Sequence, residues 1–271
     1  RSRAPRRYGD FSNDTFIVER TKDEFMRRHD TPCPGRQFES LRPLNKHPLY
    51  DRLAAKGAVF GEVAGWERPR YFGEVGEVEK NGWGHQTWHQ NAMAEAKATR
   101  ETAGVIDLCA FAQFEITGSD AGKLLDRLSA NRIPARDGRM SLNHLLTPKG
   151  RFETEITIWR ITEDRYFTGS PIARANPDFS WIRSHIRPGE DVQMVNRSAD
   201  WGMLAMSGPN SRKIMAELTD ADLTNAAFPW LSGQEICVAG VPVYALRVSF
   251  VGELGWELHA PLDRISELYD A

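Results

Sequence analysis

The pattern of apolar and polar positions changes character near residue 87 of this 271-residue chain. Before that point periodic segments are short and turn residues frequent. Thr31-Pro32-Cys33-Pro34-Gly35 is a turn, and Arg42-Pro43 and His47-Pro48 push the residue before each proline toward extended backbone. Pro48 to Gly57 has the pattern of a short helix closed by a C-terminal glycine. Ala58 to Val63 alternates small and apolar residues as a strand does. Gly65 to Pro69 then runs into a Gly/Glu-rich loop from Gly73 to Gly84. The pattern predicts a connecting region over residues 1–86 rather than a self-contained fold.

From Thr87 the segments lengthen. Trp88 to Thr102 is alanine-rich with charge partners four apart, a helix ended by Gly104. Val105 to Leu108 starts a strand or turn. Ala112, Phe114 and Ile116 alternate with polar positions, the half-buried strand pattern. Gly118-Ser119-Asp120 is expected to cap a helix carrying Ala121, Leu124, Leu125 and Leu128 on one face. Strands are predicted at Met140 to Leu146, Phe152 to Ile161 and Arg165 to Gly169, followed by a helix around Pro177 to Ile186. Met203 to Pro209 runs from strand into a helix at Asn210 to Leu218. Ala239-Gly240 joins Glu235–Val238 to Val241–Phe250 as a β-hairpin. Arg247 to Leu258 reads as strand, tight turn, strand, and an amphipathic helix starts near Asp263. Strands and helices alternate without a strict βαβ rhythm. That predicts an α+β fold with mainly antiparallel sheets and packed helices over residues 87–271.

Composition narrows the function classes. The chain is 41% hydrophobic and 27% charged with a net charge of −2, the profile of a globular protein with no bulk electrostatic bias toward nucleic acid or a membrane surface. Only Arg1 to Arg7 is strongly basic, with four arginines, and reads as a solvated tail. Cys33, Cys109 and Cys237 show no metal or disulfide spacing and read as reduced thiols. No apolar run reaches transmembrane length and no signal peptide is visible. The chain lacks an initiator methionine and stops inside its last helical pattern, which marks it as an expected internal piece of a longer protein.

Candidate chemistry lies in two places. Glu153, Glu155, Thr157 and Trp159 fall on one face of a strand, with Phe152, Thr154, Ile156 and Ile158 on the other. Same-face carboxylates suit an N–H-rich ligand or acid–base work, and a solvated strand face gives the same pattern. In Phe250-Val251-Gly252-Glu253-Leu254-Gly255-Trp256-Glu257, the carboxylate of Glu257 is expected to project from a stiff strand into a cavity and to grip N–H donors. Trp83, His85, Trp88 and His89 are expected to form a helix entry and core packing rather than a metal site. Gly202 to Pro209 is either an anion seat at a helix start or a tight connection. No G-x-G-x-x-G, Walker A, G-x-S-x-G or H-E-x-x-H sequence is present.

Ala103-Gly104-Val105-Ile106-Asp107-Leu108, the helix after Gly118-Ser119-Asp120-Ala121, Ala205-Met206-Ser207-Gly208-Pro209-Asn210-Ser211 and Phe250 to Glu257 occur in the order and spacing of a known family. Residues 88 to 271 resemble the folate-binding module of the glycine-cleavage T-protein (aminomethyltransferase) family. Upstream, Arg42-Pro43, His47-Pro48-Leu49-Tyr50-Asp51-Arg52-Leu53, Gly57 to Glu62 and Gly65 to Pro69 resemble the central region of dimethylglycine and sarcosine dehydrogenases. The resemblance implies a T-protein-like folate-binding fold, incomplete at its C-terminus, in an enzyme whose missing N-terminal domain uses FAD to oxidise an N-methyl amine. It implies tetrahydrofolate as the cofactor of the residues present, capture of the one-carbon unit as 5,10-methylenetetrahydrofolate, and no nucleic-acid, membrane or metal partner. The family's paired acids fall at Thr154-Glu155, making Glu155 the implied catalytic acid. Glu257 falls on the acid that contacts the pteridine, Phe250 stands where T-proteins usually have Tyr, and Glu253 completes the implied folate-contacting group. The implied location is cytoplasmic in a bacterium or the mitochondrial matrix in a eukaryote.

Two rivals follow from the same residues. One is a folate-binding or interaction module that has lost transfer chemistry, which the changes at Thr154 and Phe250 favour. The other is a T-protein-like iron–sulfur assembly or tRNA-modification factor, in which a cysteine is expected where Ser249 and Phe250 stand. A stand-alone aminomethyltransferase is disfavoured by the upstream segment.

Overall fold

A computed structural model describes residues 11–271, and the basic run Arg1 to Arg7 lies outside the described residues. The chain divides into two compact units, Arg1–Ala98 and Thr99–Ala271.

The first unit contains α1 (Asp14–Met26), α2 (Tyr50–Ala55), β1 (Ala58–Val63), β2 (Trp66–Phe72) and most of α3 (His89–Glu101). Helix α1 does not show in the apolar pattern because its buried residues are charged. Arg20 pairs with Glu62, and Asp23 takes Arg27 Nε at 2.9 Å and Ser40 Oγ at 3.0 Å. Asn13 starts the helix by accepting the Phe16 N–H at 2.9 Å. Strand β2 interrupts what the sequence suggests is a loop. It pairs antiparallel with β1 through a two-residue turn in which Ala64 and Gly65 both have positive φ, 51° and 84°. Pro69, which argues against a strand, sits beside the irregularity at Val59/Phe60. Glu67 is buried and held by Arg42, with Nε to Oε1 at 2.9 Å and Nη2 to Oε2 at 2.6 Å. Helix α3 starts where expected, but none of its residues is buried and Trp83 is 70% exposed, so this aromatic group is not core packing.

The second unit is two antiparallel five-stranded sheets. It runs β3 (Gly104–Asp107), β4 (Phe111–Thr117), α4 (Ala121–Leu128), β5 (Met140–Leu146), β6 (Phe152–Thr162), β7 (Arg165–Pro171), α5 (Ala175–Ser184) and β8 (Gln193–Asn196). It continues through β9 (Trp201–Ser207), α6 (Ser211–Ala216), β10 (Ser232–Val238), β11 (Val241–Arg247), β12 (Gly255–Pro261) and α7 (Ile265–Asp270). The first sheet has the order β5-β6-β7-β4-β8 and the second β10-β11-β12-β9-β3. This is the expected α+β class with antiparallel sheets.

Helices α4 and α5 cover one face of the first sheet. Leu124, Leu125, Leu128 and Ile182 pack there on Ile116, Ile156 and Ile158. Each of those leucines contributes about 2 kcal/mol by leaving water. The opposite face packs on the second sheet through Met140, Trp159, Phe167 and Leu246, with Tyr244 against both aromatic rings. Strands β4 and β6 are therefore covered on both faces over part of their length, which blurs their alternation. Gly233 on β10 has no side chain because Trp159 occupies its place; a Cβ there would lie 2.5 Å from the indole. At α4 the expected cap is absent. The Asp120 carboxylate bonds Lys123 Nζ at 2.7 Å and the Asp191 N–H at 3.1 Å instead of the first helical turn.

Candidate functional site

Strand β6 carries the first candidate. From Thr154 to Trp159 it alternates as expected, with Thr154, Ile156 and Ile158 toward the helices and Glu155, Thr157 and Trp159 toward the second sheet. A bulge changes its start. Leu145 pairs with Thr154 but Leu146 pairs with Phe152, so Glu153 is the extra residue. Phe152 thereby moves to the Glu155 face, its ring 5.7 Å from that of His144. Glu153 is handed to Arg174, whose Nη2 lies 3.1 Å from its carbonyl and 3.4 Å from Oε1. Glu153 and Glu155 are thus not a matched pair. Glu155, partly exposed, bonds His144 Nε2 from the facing position on β5 at 2.8 Å.

Behind Glu155, Thr154 meets a buried carboxylate that sequence spacing does not reveal. The Thr154 hydroxyl donates to Oδ2 of Asp178 at 2.9 Å. Asp178, on α5, is fully buried and also takes Arg174 through Nε at 3.0 Å and Nη2 at 2.8 Å. Burial pushes its carboxyl up from the usual range, and the Thr154 and Arg174 contacts offset only part of that rise.

The second candidate lies on β12. The segment from Arg247 to Leu258 is not a tight turn: β11 ends at Arg247, β12 begins at Gly255, and residues 248–254 form a loop. The physical reason is the pairing of β12 with β9, which fixes Gly255 opposite Ser207 and leaves no room for a Cβ, 2.3 Å from the Met206 carbonyl. Glu257 points to the same face as His259, and His259 meets Phe167 of the first sheet, with ring centroids 5.1 Å apart. The Glu257 side chain is 25% exposed, and its Oε2 lies 3.5 Å from His259 Nε2. Glu253, mostly buried in the loop, pairs with Arg100 at 3.3 Å. Phe250 is 99% exposed at the loop tip and touches no core. Glu155 and Glu257 thus both project from faces turned toward the opposite sheet, one from each sheet, each with a partner of its own.

Three of the sequence motifs meet at one end of β9. Gly104 and Gly255 both lie opposite Ser207. Gly208 has φ +124°, and a Cβ on it would come within 2.5 Å of the Thr99 carbonyl. Its N–H donates to Leu254 O at 2.8 Å, and Ser211 Oγ donates to the same oxygen at 3.0 Å. The Asn210 N–H goes to Thr102 O at 2.9 Å. These bonds tie the entry of α6 to Thr102 and Leu254, so Gly202 to Pro209 forms a tight connection.

With the geometry in place, comparison with known proteins decides the family. Residues 49–271 match the model of the GCVT N-terminal domain. The chain belongs to the GCVT N-terminal domain family. It is 31% identical over 271 residues to human mitochondrial dimethylglycine dehydrogenase, covering 98% of this chain and 31% of that protein. It is 29% identical to human mitochondrial sarcosine dehydrogenase, covering 94% and 32%. The chain spans about a third of the length of these curated relatives. The glycine cleavage system aminomethyltransferase T from Bartonella henselae shares the fold, with a TM-score of 0.68 and 21% identity over 84% of this chain and 56% of that one. The expected T-protein-like fold is thereby found.

Sequence reading of this GCVT domain missed His144, Asp178, Gln113 and His259. His144 was legible in principle, as the one ionisable residue of its strand, facing Glu155 across the turn. Asp178 and Gln113 were not, because their partners lie 24 and 146 residues away in the chain. No helix among the described residues is long and apolar enough to cross a membrane.

Proposed function

We propose that this chain is the folate-binding part of an FAD-dependent N-methyl amine dehydrogenase of the dimethylglycine/sarcosine type, and that it captures the one-carbon unit as 5,10-methylenetetrahydrofolate. The observation that carries the reading is Glu257: a carboxylate three-quarters buried, rooted on a central strand, with one oxygen against His259. Its other oxygen is the natural acceptor for the N–H edge of a 2-aminopyrimidine ring. Membership of the GCVT N-terminal domain family and the similarity to the named dehydrogenases support a ligand of this class.

In this reading Glu257 holds the pteridine, and Phe250 and Glu253 belong to the loop that flanks it. Glu155 takes the proton released when one amine nitrogen of tetrahydrofolate adds to the iminium or formaldehyde carbon and opens its C=N or C=O π bond. It returns that proton to the amine or hydroxyl that leaves, as free amine or water, when the second folate nitrogen closes the methylene bridge. His144, bonded to Glu155 at 2.8 Å, orients that carboxylate. The oxidation itself is flavin chemistry, and the sequence carries no dinucleotide-binding glycine loop, so FAD is assigned to a part of the longer protein outside these residues. The compartment is the cytoplasm of a bacterium or the mitochondrial matrix, and the amine and the folate are the small-molecule partners.

The test is a tetrahydrofolate titration of the full-length protein against its Glu257→Gln variant. The reading expects affinity to fall on the order of tenfold or more on loss of a charged acceptor. Equal affinities would reject it. A second reading, a folate-binding or interaction module without transfer activity, is favoured by the full exposure of Phe250. It expects the same titration but no methylenetetrahydrofolate in turnover.

A further inference from the structure

The packing around Glu257 assigns a task to a residue that neither the motifs nor the family match singles out. His259 sits two residues along β12 on the same face and is 2% exposed. Its Nδ1 lies 3.0 Å from Oε1 of Gln113, a fully buried residue on β4 of the opposite sheet. The orientation of that amide is fixed on its other side, because Gln113 Nε2 donates to the Trp201 carbonyl at 3.1 Å. With the amide held that way, Oε1 faces the imidazole and can only accept, so Nδ1 carries a hydrogen. The remaining ring nitrogen, Nε2, is buried, has no hydrogen-bond partner, and points to Glu257 Oε2 at 3.5 Å.

A buried ring nitrogen facing a carboxylate has two states. As a lone pair it repels the oxygen. As an N–H, which with Nδ1 already protonated makes the ring an imidazolium ion-paired with Glu257, it attracts that oxygen across the 3.5 Å gap. The other groups around the ring supply no alternative. Phe167 packs edge-on, and Tyr244 on β11 is opposite in register but commits its hydroxyl to Arg165 Nη2 at 2.5 Å. Glu115, the next residue on the Gln113 face of β4, is bound by Arg165 at 2.8 Å and by Arg197 at 2.8 Å. Glu257 is the one acceptor these neighbours leave for Nε2–H.

We propose that His259 is a positioning residue for Glu257: anchored across the sheets by Gln113, it pins one carboxylate oxygen through Nε2–H so that the other is presented to the N–H edge of a reduced pterin. The anchor explains why a strand of one sheet needs an amide from the other. It makes the orientation of the binding carboxylate a property of the inter-sheet packing and not of the loop. The inference rests on the folate reading above.

Two substitutions separate the halves of the ring. His259→Asn keeps a donor where Nδ1 stands and so keeps the Gln113 contact, but puts nothing against Glu257. His259→Gln reaches the Nε2 position and restores a donor to the carboxylate. The dissociation constant for tetrahydrofolate is measured by titration of the full-length wild type, both variants and Glu257→Gln, with thermal melting of each as the folding control. His259→Asn is expected to melt near wild type and bind on the order of tenfold more weakly, with His259→Gln recovering most of the loss. If His259→Asn fails to fold, the comparison of His259→Gln with His259→Leu, both lacking the Nδ1 contact, carries the same test. Wild-type affinity in His259→Asn, or no difference between His259→Gln and the variants without a donor, overturns the inference while Glu257→Gln still reports on the folate reading. No binding by wild type, or none lost in Glu257→Gln, overturns both.

Discussion

Thr154 donates its hydroxyl to the fully buried carboxylate of Asp178 at 2.9 Å, so a buried acid on α5 faces strand β6 from behind. Burial raises the Asp178 carboxyl above its usual range despite Thr154 and Arg174. The folded protein therefore keeps this proton to higher pH than the unfolded chain does, and ionisation near neutrality costs stability. The contribution of the proton is complete below about pH 4, the ordinary Asp value, and is lost as pH rises through the raised folded value. Asp178→Asn removes that dependence. The melting temperature of the variant minus that of wild type is expected to increase from pH 4 upward and then level off, in paired melts across pH 3.5 to 7.5. A flat difference sinks the assignment.

Glu115 behaves in the opposite sense. Burial alone would raise it, but hydrogen bonds and charge from Arg165 and Arg197 hold it below the usual carboxylate range. Its stabilisation is present above the ordinary Glu value of about 4.3 and fades as pH falls through the depressed one. Glu115→Gln should cost about 2 kcal/mol at pH 7, as expected for removing a charge-assisted network, and progressively less in acid. Chemical denaturation at pH 7 and pH 3 measures both. An equal loss at the two pH values contradicts the ion-pair origin.

Gly208 stands where the backbone of β9 crosses into α6 with no space for a side chain. Its φ is +124°, and a Cβ would sit 2.5 Å from the Thr99 carbonyl and 2.6 Å from that of Thr102, both backbone atoms. Strain and overpacking together make Gly208→Ala expensive by about 3 kcal/mol. The expected outcome is a lower denaturation midpoint, with folate affinity preserved in the fraction that folds. A variant as stable as wild type would show that the β9–α6 crossing is slack.

These cases explain what was legible in the residues alone. Helix α4 was read correctly because Ala121, Leu124, Leu125 and Leu128 repeat at helical spacing and all face one core. Helix α1 was missed because Arg20 and Asp23 are what it buries, and pairing across the chain, not apolar period, makes that burial tolerable. The bulge at Glu153 was invisible because a one-residue slip leaves no composition signal, yet it decides which acid shares a face with Phe152. Glu155 and Glu257 are candidates from the strand pattern and the order of motifs, whereas the contacts of Asp178, Gln113 and His259 arise between elements that only the folded chain brings together.

The proposed division of labour between the two acids can be separated kinetically. Glu155 stands partly exposed with His144 as its one hydrogen-bonded partner among the described residues, the setting of a group that exchanges protons. Glu257 is less exposed, with His259 Nε2 3.5 Å from its Oε2, the setting of a group that binds. Glu155→Gln keeps the shape and removes the base, so formation of methylenetetrahydrofolate should fall by about a hundredfold with the KM for tetrahydrofolate changed by less than about threefold. Glu257→Gln should instead raise that KM on the order of tenfold. His144→Gln keeps a donor near Glu155 and should fall between wild type and Glu155→Gln in rate. Rapid-quench measurement of the transfer step on the full-length protein distinguishes these outcomes. A Glu155→Gln variant that loses folate binding but transfers normally when saturated would reverse the two assignments.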